Sequence, residues 1–280
     1  EASYLFDDSV FGPDEEQFAA QVAWLARHAD PVSESDLLGA LEGTATLPRR
    51  AVMVTFDDGY RDNFTLALPI LKAHGVPAIF FVAPALIDQR RLGFWDHAAQ
   101  VAKASGAPDP AAASRVYANW LKTERAVDPE AALSELRKSH GVAEPDPLAE
   151  DRELMNWDEI RQLVRHGMAI GSHGLTHRVL ARLSADEQRH ELVESKRRLE
   201  HRLQVPVRSI AFPAGSPGAY SLETQKAAEV AGYAACFTYE TGVNPLGALS
   251  RADIRRLPAG PSAGLAACAV KAPWIDRKST

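Results

Sequence analysis

The chain has 280 residues, of which 46% are hydrophobic and 24% charged, and its formal net charge is −6 at pH 7. This hydrophobic fraction excludes a disordered chain, and two cysteines are too few for a disulfide scaffold. The mild acidity argues against nucleic acid as a partner, because nucleic-acid binders usually carry a basic face. No apolar run reaches the roughly 18 to 20 residues of a transmembrane helix. The length fits a single α/β barrel, which has about 250 residues, or two smaller domains.

Short apolar segments alternate with helical ones along the chain. In chain order we predict a strand at 51–56, a helix at 63–74, a strand at 78–83, a helix at 157–166, a strand at 168–171, a helix at 184–203, and strands at 207–212, 234–238 and 254–257. Asn156 and Glu159 form a capping-box pattern before the second helix, and Gly75 and Gly167 end the first two helices. The alternation predicts a mainly parallel sheet with crossover helices, which fits a barrel or an open doubly wound sheet.

The stretch from residue 102 to residue 151 interrupts this alternation. It is rich in Ala, Glu and Pro, it has helical segments at 111–123 and 129–139, and it contains no predicted strand. We interpret it as a helical insertion between the second and third strands. A separate small domain is the alternative.

Adjacent carboxylates, Asp57 and Asp58, directly follow the first predicted strand. In parallel α/β folds, functional sites are built just beyond the strands. Two carboxylates at the end of a buried strand are costly unless they are paired, hydrated or metal-bound. Because neighbouring side chains diverge, one carboxylate is free to bind a cation while the other acts as a base. An ordinary Asp-Gly turn is the alternative interpretation.

Two further segments follow predicted strands. His173 and His177 have a spacing that lets both side chains face one metal, although such a pair is weak evidence alone. The segment 210–215 ends in Pro-Ala-Gly, a rigid turn whose backbone N–H groups are available to a developing oxyanion. Together, one Asp and the two His form a three-ligand divalent site, and the other Asp supplies a base. These parts predict metal-assisted hydrolysis of an amide or ester.

The motifs resemble those of the polysaccharide deacetylase family, carbohydrate esterase family 4. Thr-Phe-Asp-Asp-Gly at 55–59 matches one family motif in full, and His173 and His177 match its His-Ser/Thr-x-x-His motif. Pro213 and Gly215 match part of its Arg-x-Pro-x-Gly motif. The resemblance covers about residues 14 to 258 and is greatest to the branches that act on exopolysaccharide.

The resemblance implies an α/β fold, a distorted (β/α) barrel with seven or eight mainly parallel strands. We therefore expect one catalytic domain at 1–258, with the helical insertion at 102–151, followed by a C-terminal tail at 259–280. The implied activity is removal of N-acetyl groups from an amino-sugar polysaccharide or glycoconjugate, which releases acetate and a free amine.

The family pattern also implies a role for each matching residue. Asp58, His173 and His177 would hold a divalent metal, with zinc expected and cobalt or nickel as alternatives. Asp57 would be the base that activates a metal-bound water, and this water would attack the acetyl carbonyl. The backbone N–H of Ala214 would stabilise the carbonyl oxygen. The residues expected to contact the substrate are Phe212, Pro213 and Trp95, with core packing as the alternative for Trp95.

The chain departs from the family pattern at several positions. Gly174 stands in place of Ser or Thr, so a hydrogen bond that braces the histidine loop (residues 173–177) is lost or replaced. Ala211 stands in place of the Arg that orients the base, and we expect Arg256, rather than its neighbour Arg255, to substitute for it. Ala214 stands where the family often has an aromatic residue, so we expect a more open site.

The general acid is another departure. The family usually has a late Leu-x-His, but no His follows His201 in this chain. In the exopolysaccharide branches the acid comes from a Tyr-His near the N-terminus, so the resemblance places this His upstream of Glu1. His97 is an internal candidate, although packing beside Trp95 is the favoured interpretation.

Two other functions remain open from the sequence. One is hydrolysis of a small cyclic amide or imide on the same fold, and the other is a catalytically silent carbohydrate-binding protein. The complete Asp-His-His set favours an enzyme over the silent protein. No sequence feature selects the sugar, the compartment or the oligomeric state.

Overall fold

The computed structural model describes residues 12–123, 129–144 and 153–259. These residues form two compact units. The first unit comprises residues 12–87 and 155–259, and the second lies between residues 88 and 154. The division into a catalytic domain at 1–258 with an insertion at 102–151 remains a prediction, and all but the first residue of the predicted tail lies outside the described residues.

Parallel strands form the centre of the first unit. Six of them make one sheet in the order β3-β4-β5-β6-β7-β8, and β1 and β2 form a separate parallel pair. This arrangement, with helices around the strands, confirms the predicted α/β fold with a distorted (β/α) barrel. The strands are β1 (Asp30–Pro31), β2 (Ala51–Val52), β3 (Val54–Phe56), β4 (Ala78–Val82), β5 (Ala169–Ser172), β6 (Ser209–Ala211), β7 (Ala235–Thr241) and β8 (Ile254–Arg256).

Capping residues mark the ends of several helices. Asn156 and Glu159 form the predicted capping box, Ser184 and Glu187 form another, and Gly75 ends a helix in the left-handed conformation. No helix in the described ranges is both long and apolar enough to cross a membrane. The helices are α1 (Glu15–His28), α2 (Glu34–Leu41), α3 (Leu68–His74, after a π-helical turn at Asn63–Ala67), α4 (Pro84–Gln89), α5 (Phe94–Ala104), α6 (Pro110–Thr123), α7 (Pro129–His140), α8 (Trp157–Arg165), α9 (Ala185–Leu203) and α10 (Leu222–Val230).

The predicted strand at 51–56 is in fact two strands. Ala51 and Val52 pair with β1, whereas Val54–Phe56 pairs with β4 in the larger sheet. Both pieces are half-buried, although we expected burial on both faces. The pattern of apolar residues is continuous across Met53, so the sequence does not reveal that the partner strand changes there.

The second unit contains the helices α5 to α7. The helical segment therefore begins at Phe94, before the predicted start of the insertion at residue 102. The side chain of His97 is completely buried, and Arg137 donates a hydrogen bond to its Nδ1 over 2.6 Å. Burial and the neighbouring Arg137 lower the pKa of His97 to about 3. This His is therefore neutral at working pH, which supports the packing interpretation over the acid.

The strand order places the predicted site residues at one end of the larger sheet. Asp57 follows β3, His173 follows β5, Phe212 follows β6, and Arg256 is the last residue of β8. Since all six strands are parallel, their carboxyl ends lie on the same side of the sheet. The apolar centre of the sheet, which includes Phe81 and Phe237, is buried beneath this end.

Candidate active site and metal centre

Asp58, His173 and His177 converge at the carboxyl end of the sheet. The Oδ1 atom of Asp58 lies 3.1 Å from Nε2 of His177 and 3.4 Å from Nε2 of His173. The three side chains offer ligand atoms that all lie within 4.8 Å of one another. Both imidazoles are buried, while Asp58 keeps some contact with solvent. The structure therefore contains a candidate metal site composed of the three predicted residues.

The donor chemistry of this cluster fits a divalent cation. Two imidazole nitrogens face Asp58 Oδ1, yet this buried oxygen has no hydrogen-bond partner of acceptable geometry among the described residues. The other ring nitrogen of His173, Nδ1, donates to the carbonyl oxygen of Ala211 over 2.7 Å. A neutral His173 therefore presents the lone pair of Nε2 to the cluster, as metal-binding histidines usually do. Two nitrogens and one oxygen suit zinc, cobalt and nickel.

The pKa shifts of Asp58 and His177 favour the metal-binding forms, whereas at His173 the carboxylates of Asp57 and Asp58 outweigh burial and raise the pKa. Burial alone would raise the pKa of Asp58, but the adjacent imidazoles of His173 and His177 outweigh burial and hold this pKa well below its usual range. Burial lowers the pKa of His177 and outweighs the opposing effect of Asp58. An ionised carboxylate and a neutral imidazole are the forms that bind metal.

Backbone strain is concentrated in the same place. Asp58, His177 and Ala214 have φ angles of 71°, 60° and 61°, in the left-handed region that favours glycine. Within the described ranges, the only other non-glycine residues with positive φ are Arg90 and Gln204. Left-handed residues of this kind persist where the surroundings hold them, and they cluster at functional sites.

Asp57 faces a different partner from that of Asp58. Arg256 donates two parallel hydrogen bonds to Asp57, from Nη1 to Oδ1 over 2.7 Å and from Nη2 to Oδ2 over 2.8 Å. The Nε atom of Arg256 donates to the carbonyl oxygen of Thr238, and this bond fixes the orientation of the guanidinium. Burial alone would raise the pKa of Asp57, but the guanidinium of Arg256, together with the neighbouring His173, outweighs burial, so this pKa is lowered. Asp57 is thus an oriented, ionised carboxylate.

The two arginines at the end of the sheet have separate partners. Arg256 is largely buried beside Asp57, and its guanidinium lies 5.7 Å from the ring centroid of Tyr239. Arg255 is half-exposed and lies instead near Asp253 and Glu240. The geometry therefore places Arg256, and not Arg255, beside the candidate base.

The loop after β6 packs against the histidine loop. Pro213 Cγ lies 3.3 Å from the point where a Cβ of residue 174 would stand. Ala214 is half-buried, and Pro213 is buried. The ring of Phe212 is completely buried and stacks on Tyr220 with the centroids 5.1 Å apart. Its side chain packs in the interior, and its assignment to substrate contact remains a prediction.

Trp95 lies in the second unit, on α5. Its side chain is buried and packs edge-to-face against Phe94, with the ring centroids 5.1 Å apart. Its assignment to the substrate cleft remains a prediction.

The sequence interpretation missed one residue beside the histidine loop. Glu191, on α9, is buried and accepts hydrogen bonds from Leu175 and Thr176. The available signal is its position next to the buried face of this helix, which Leu192, Ser195 and Leu199 define. A carboxylate at such a position needs a specific partner.

The comparisons with known proteins agree with the fold and the motifs. The polysaccharide deacetylase family matches this chain over residues 44–236, and the chain belongs to this family. The protein YxkH of Bacillus subtilis (strain 168) is 24% identical over 193 residues, which is 69% of this chain. The poly-β-1,6-N-acetyl-D-glucosamine N-deacetylase of Escherichia coli (strain K12) is 39% identical over 69 residues, which is 24% of this chain.

This chain spans 46% of the Bacillus protein and 10% of the Escherichia coli enzyme. Among solved structures, the Streptococcus pyogenes deacetylase PplD in complex with acetate superposes with a TM-score of 0.64. The two chains are 17% identical, and the match covers 92% of this chain and 86% of PplD. At this identity the likeness shows the shared fold.

Proposed function

We propose that this protein is a divalent-metal-dependent N-deacetylase that acts on N-acetylated amino sugars of a polysaccharide or glycoconjugate. The observation that carries the proposal is the placement of an arginine-held carboxylate, Asp57, next to the Asp58–His173–His177 cluster. Membership in the polysaccharide deacetylase family supports the reaction class. The name of the Escherichia coli relative supports an N-acetylglucosamine polymer as the substrate class.

Asp57 is the general base of this proposal. Its lowered pKa keeps it ionised at neutral pH, and Arg256 holds both of its oxygens. One of these oxygens is 3.9 Å from Nε2 of His173, so a water molecule at the cluster is within reach of the carboxylate. Asp57 accepts the proton of this water while the water oxygen attacks the acetyl carbonyl.

Asp58, His173 and His177 would hold the cation, with zinc as our first expectation and cobalt or nickel as alternatives. When bound, the cation supplies Lewis-acid polarisation of the acetyl carbonyl and lowers the pKa of water. The hydrogen bond from His173 to the carbonyl oxygen of Ala211 keeps one imidazole oriented for this task.

The backbone N–H of Ala214 is the proposed donor to the carbonyl oxygen. Within the described ranges, this N–H donates to no carbonyl or side-chain acceptor. The left-handed φ of Ala214 turns the chain immediately after Pro213, beside the histidine loop. A fixed donor near a developing oxyanion stabilises the transition state without reorganisation.

Acetate release from N-acetylglucosamine oligomers tests the proposal. We expect release from the zinc-loaded protein, its loss after treatment with a chelator, and its recovery when zinc is added back. Release that a chelator does not affect would contradict the proposal. A metal-loaded protein that releases no acetate but opens a cyclic imide would favour the cyclic amide hydrolase, and inactivity on both substrates would favour the silent carbohydrate-binding protein.

A further inference from the structure

Glu191 is a buried carboxylate that no cation neutralises within the described ranges. Its side chain comes from α9, and the residue is 4% exposed. Among the described residues, the side-chain hydrogen bonds to Glu191 all come from the loop that joins the two candidate histidine ligands. The Oε2 atom accepts from the backbone N–H groups of Leu175 over 2.8 Å and of Thr176 over 3.0 Å. The Oε1 atom accepts from the Thr176 hydroxyl over 2.5 Å.

These three bonds link the stability of the carboxylate to the conformation of the loop. A carboxylate that leaves water loses its hydration, and only well-placed donors compensate for that loss. Leu175 and Thr176 provide such donors only while the loop keeps its observed turn. The next residue, His177, has a φ of 60°, a strained conformation that the surroundings must hold.

Gly174 makes room for this arrangement. It has a φ of 73°, and a Cβ at this position would lie 3.3 Å from both Oε2 of Glu191 and Cγ of Pro213. Its own N–H donates to Oγ of Ser172 over 3.2 Å. The carboxylate thus approaches the loop backbone closely at Gly174, where a side chain would crowd it.

We propose that Glu191 is a positioning residue for the metal centre. Its carboxylate fixes the turn from His173 to His177, so that Nε2 of His177 meets Asp58 and the other imidazole. The inference rests on the proposed function only in that the cluster binds a metal.

Cobalt affinity measures this role without any sugar substrate. Cobalt would be titrated against a chromophoric competing chelator, with the visible spectrum of the bound ion as a second readout. We expect Glu191→Ala to weaken binding by about 10- to 100-fold, as loss of an outer-shell partner usually does, and to change the spectrum. Glu191→Gln keeps an oxygen for the two N–H groups and an amide beside Thr176, so we expect its affinity within about threefold of the parent.

The matched control is Glu194→Ala on the same helix. Glu194 pairs with Arg197 and Arg198 and has no bond to the histidine loop, so cobalt affinity should stay at the parent value.

Thermal unfolding in chelator shows whether each variant is folded. If Glu191→Ala is unfolded, Thr176→Val replaces it, because it removes one donor and leaves the helix intact. We then expect an affinity about three- to tenfold lower.

Two results would overturn the inference. One is a folded Glu191→Ala variant, or Thr176→Val in its place, that binds cobalt with the affinity and spectrum of the parent. The other is a Glu191→Gln variant as weak as Glu191→Ala. A parent that binds cobalt but releases no acetate would contradict the proposed function while leaving the role of Glu191 intact, whereas a parent that binds no cobalt would overturn both.

Discussion

Asp57 and Asp58 are adjacent in sequence but face different partners. Asp58 lies against two imidazoles, and Asp57 lies against a guanidinium. Since the charge environment differs on the two sides of one peptide bond, the two carboxylates are suited to different tasks. Asp58 offers an anionic oxygen to a cation, and Asp57 offers an oriented oxygen to a proton.

Replacement of Arg256 tests how the base is held. Arg256→Met removes both hydrogen bonds to Asp57, and we expect acetate release to fall by about 100-fold because the carboxylate is no longer oriented. Since Arg256 lowers the pKa of Asp57, its loss raises this pKa. The acid limb of the pH–rate profile should therefore move to higher pH.

The neighbouring arginine provides the control for this experiment. Arg255 is half-exposed and lies near Asp253, so Arg255→Met should leave the rate and its pH profile unchanged. If Arg256→Met and Arg255→Met lost the same fraction of the acetate-release rate, the bidentate contact of Arg256 would not be what orients the base.

At the scale of elements, the site consists of loops that follow parallel strands. The loop after β5 contains both histidines, and its turn depends on Gly174, where the backbone is left-handed and Glu191 and Pro213 approach closely. The left-handed conformation and the close contacts at Gly174 have separate effects on the free energy of unfolding when a side chain is added. A second glycine allows the two effects to be distinguished. Gly167 has a φ of 80° but no atom within 4 Å of its Cβ position.

A pair of alanine substitutions separates these contributions. Gly167→Ala carries only the cost of a left-handed alanine, about 1 kcal/mol in the free energy of unfolding. Gly174→Ala has the same cost, and its Cβ would also crowd Glu191 and Pro213. We therefore expect a larger loss of unfolding free energy. We also expect weaker zinc binding in this variant alone. Urea unfolding and zinc titration measure the two effects, and identical behaviour of the variants would contradict the assigned contacts.

The helices α5 and α7 share a buried pair that is sensitive to acid. His97 has a pKa of about 3 in the folded chain, well below its ordinary value. Below about pH 6.5 the unfolded chain therefore binds a proton that the folded chain does not. The stabilising effect of the neutral imidazole is complete above this pH and is lost as the pH falls toward 3.

His97→Gln tests this dependence. The amide oxygen still accepts from Arg137, but the side chain does not titrate. We expect the parent to lose about 1 to 2 kcal/mol more unfolding free energy than the variant between pH 7.5 and pH 5. Urea unfolding at the two pH values measures the difference, and equal losses would contradict the burial of a neutral His97.

At the scale of the whole molecule, local patterns of the sequence predict most elements but few of the contacts that complete the site. The capping residues and apolar spacing predict helices such as Trp157–Arg165, because these signals lie within the helix itself. Arg256 and Asp57 are 199 residues apart, and only the strand order brings them together. The family resemblance made Arg256 a candidate, whereas nothing local to Glu191 indicates that its partner is the histidine loop.

The stability of the whole molecule should depend on the metal. A cation that binds only the folded state stabilises it by about 2.7 kcal/mol at 100 times the dissociation constant. Zinc should therefore raise the thermal unfolding temperature of the parent, and a chelator should reverse the change. His177→Ala lacks one ligand and should show a much smaller shift at the same zinc concentration. An equal shift in this variant would place the zinc elsewhere.

The most direct test of the account is an Asp57→Asn variant assayed for both metal content and acetate release. The substitution keeps the shape of the side chain and leaves Asp58, His173 and His177 intact. We predict zinc content equal to that of the parent and acetate release from N-acetylglucosamine oligomers reduced by at least about 100-fold, because the base is lost. Full activity in this variant, or loss of zinc together with activity, would contradict the separation of base and ligand on which the account depends.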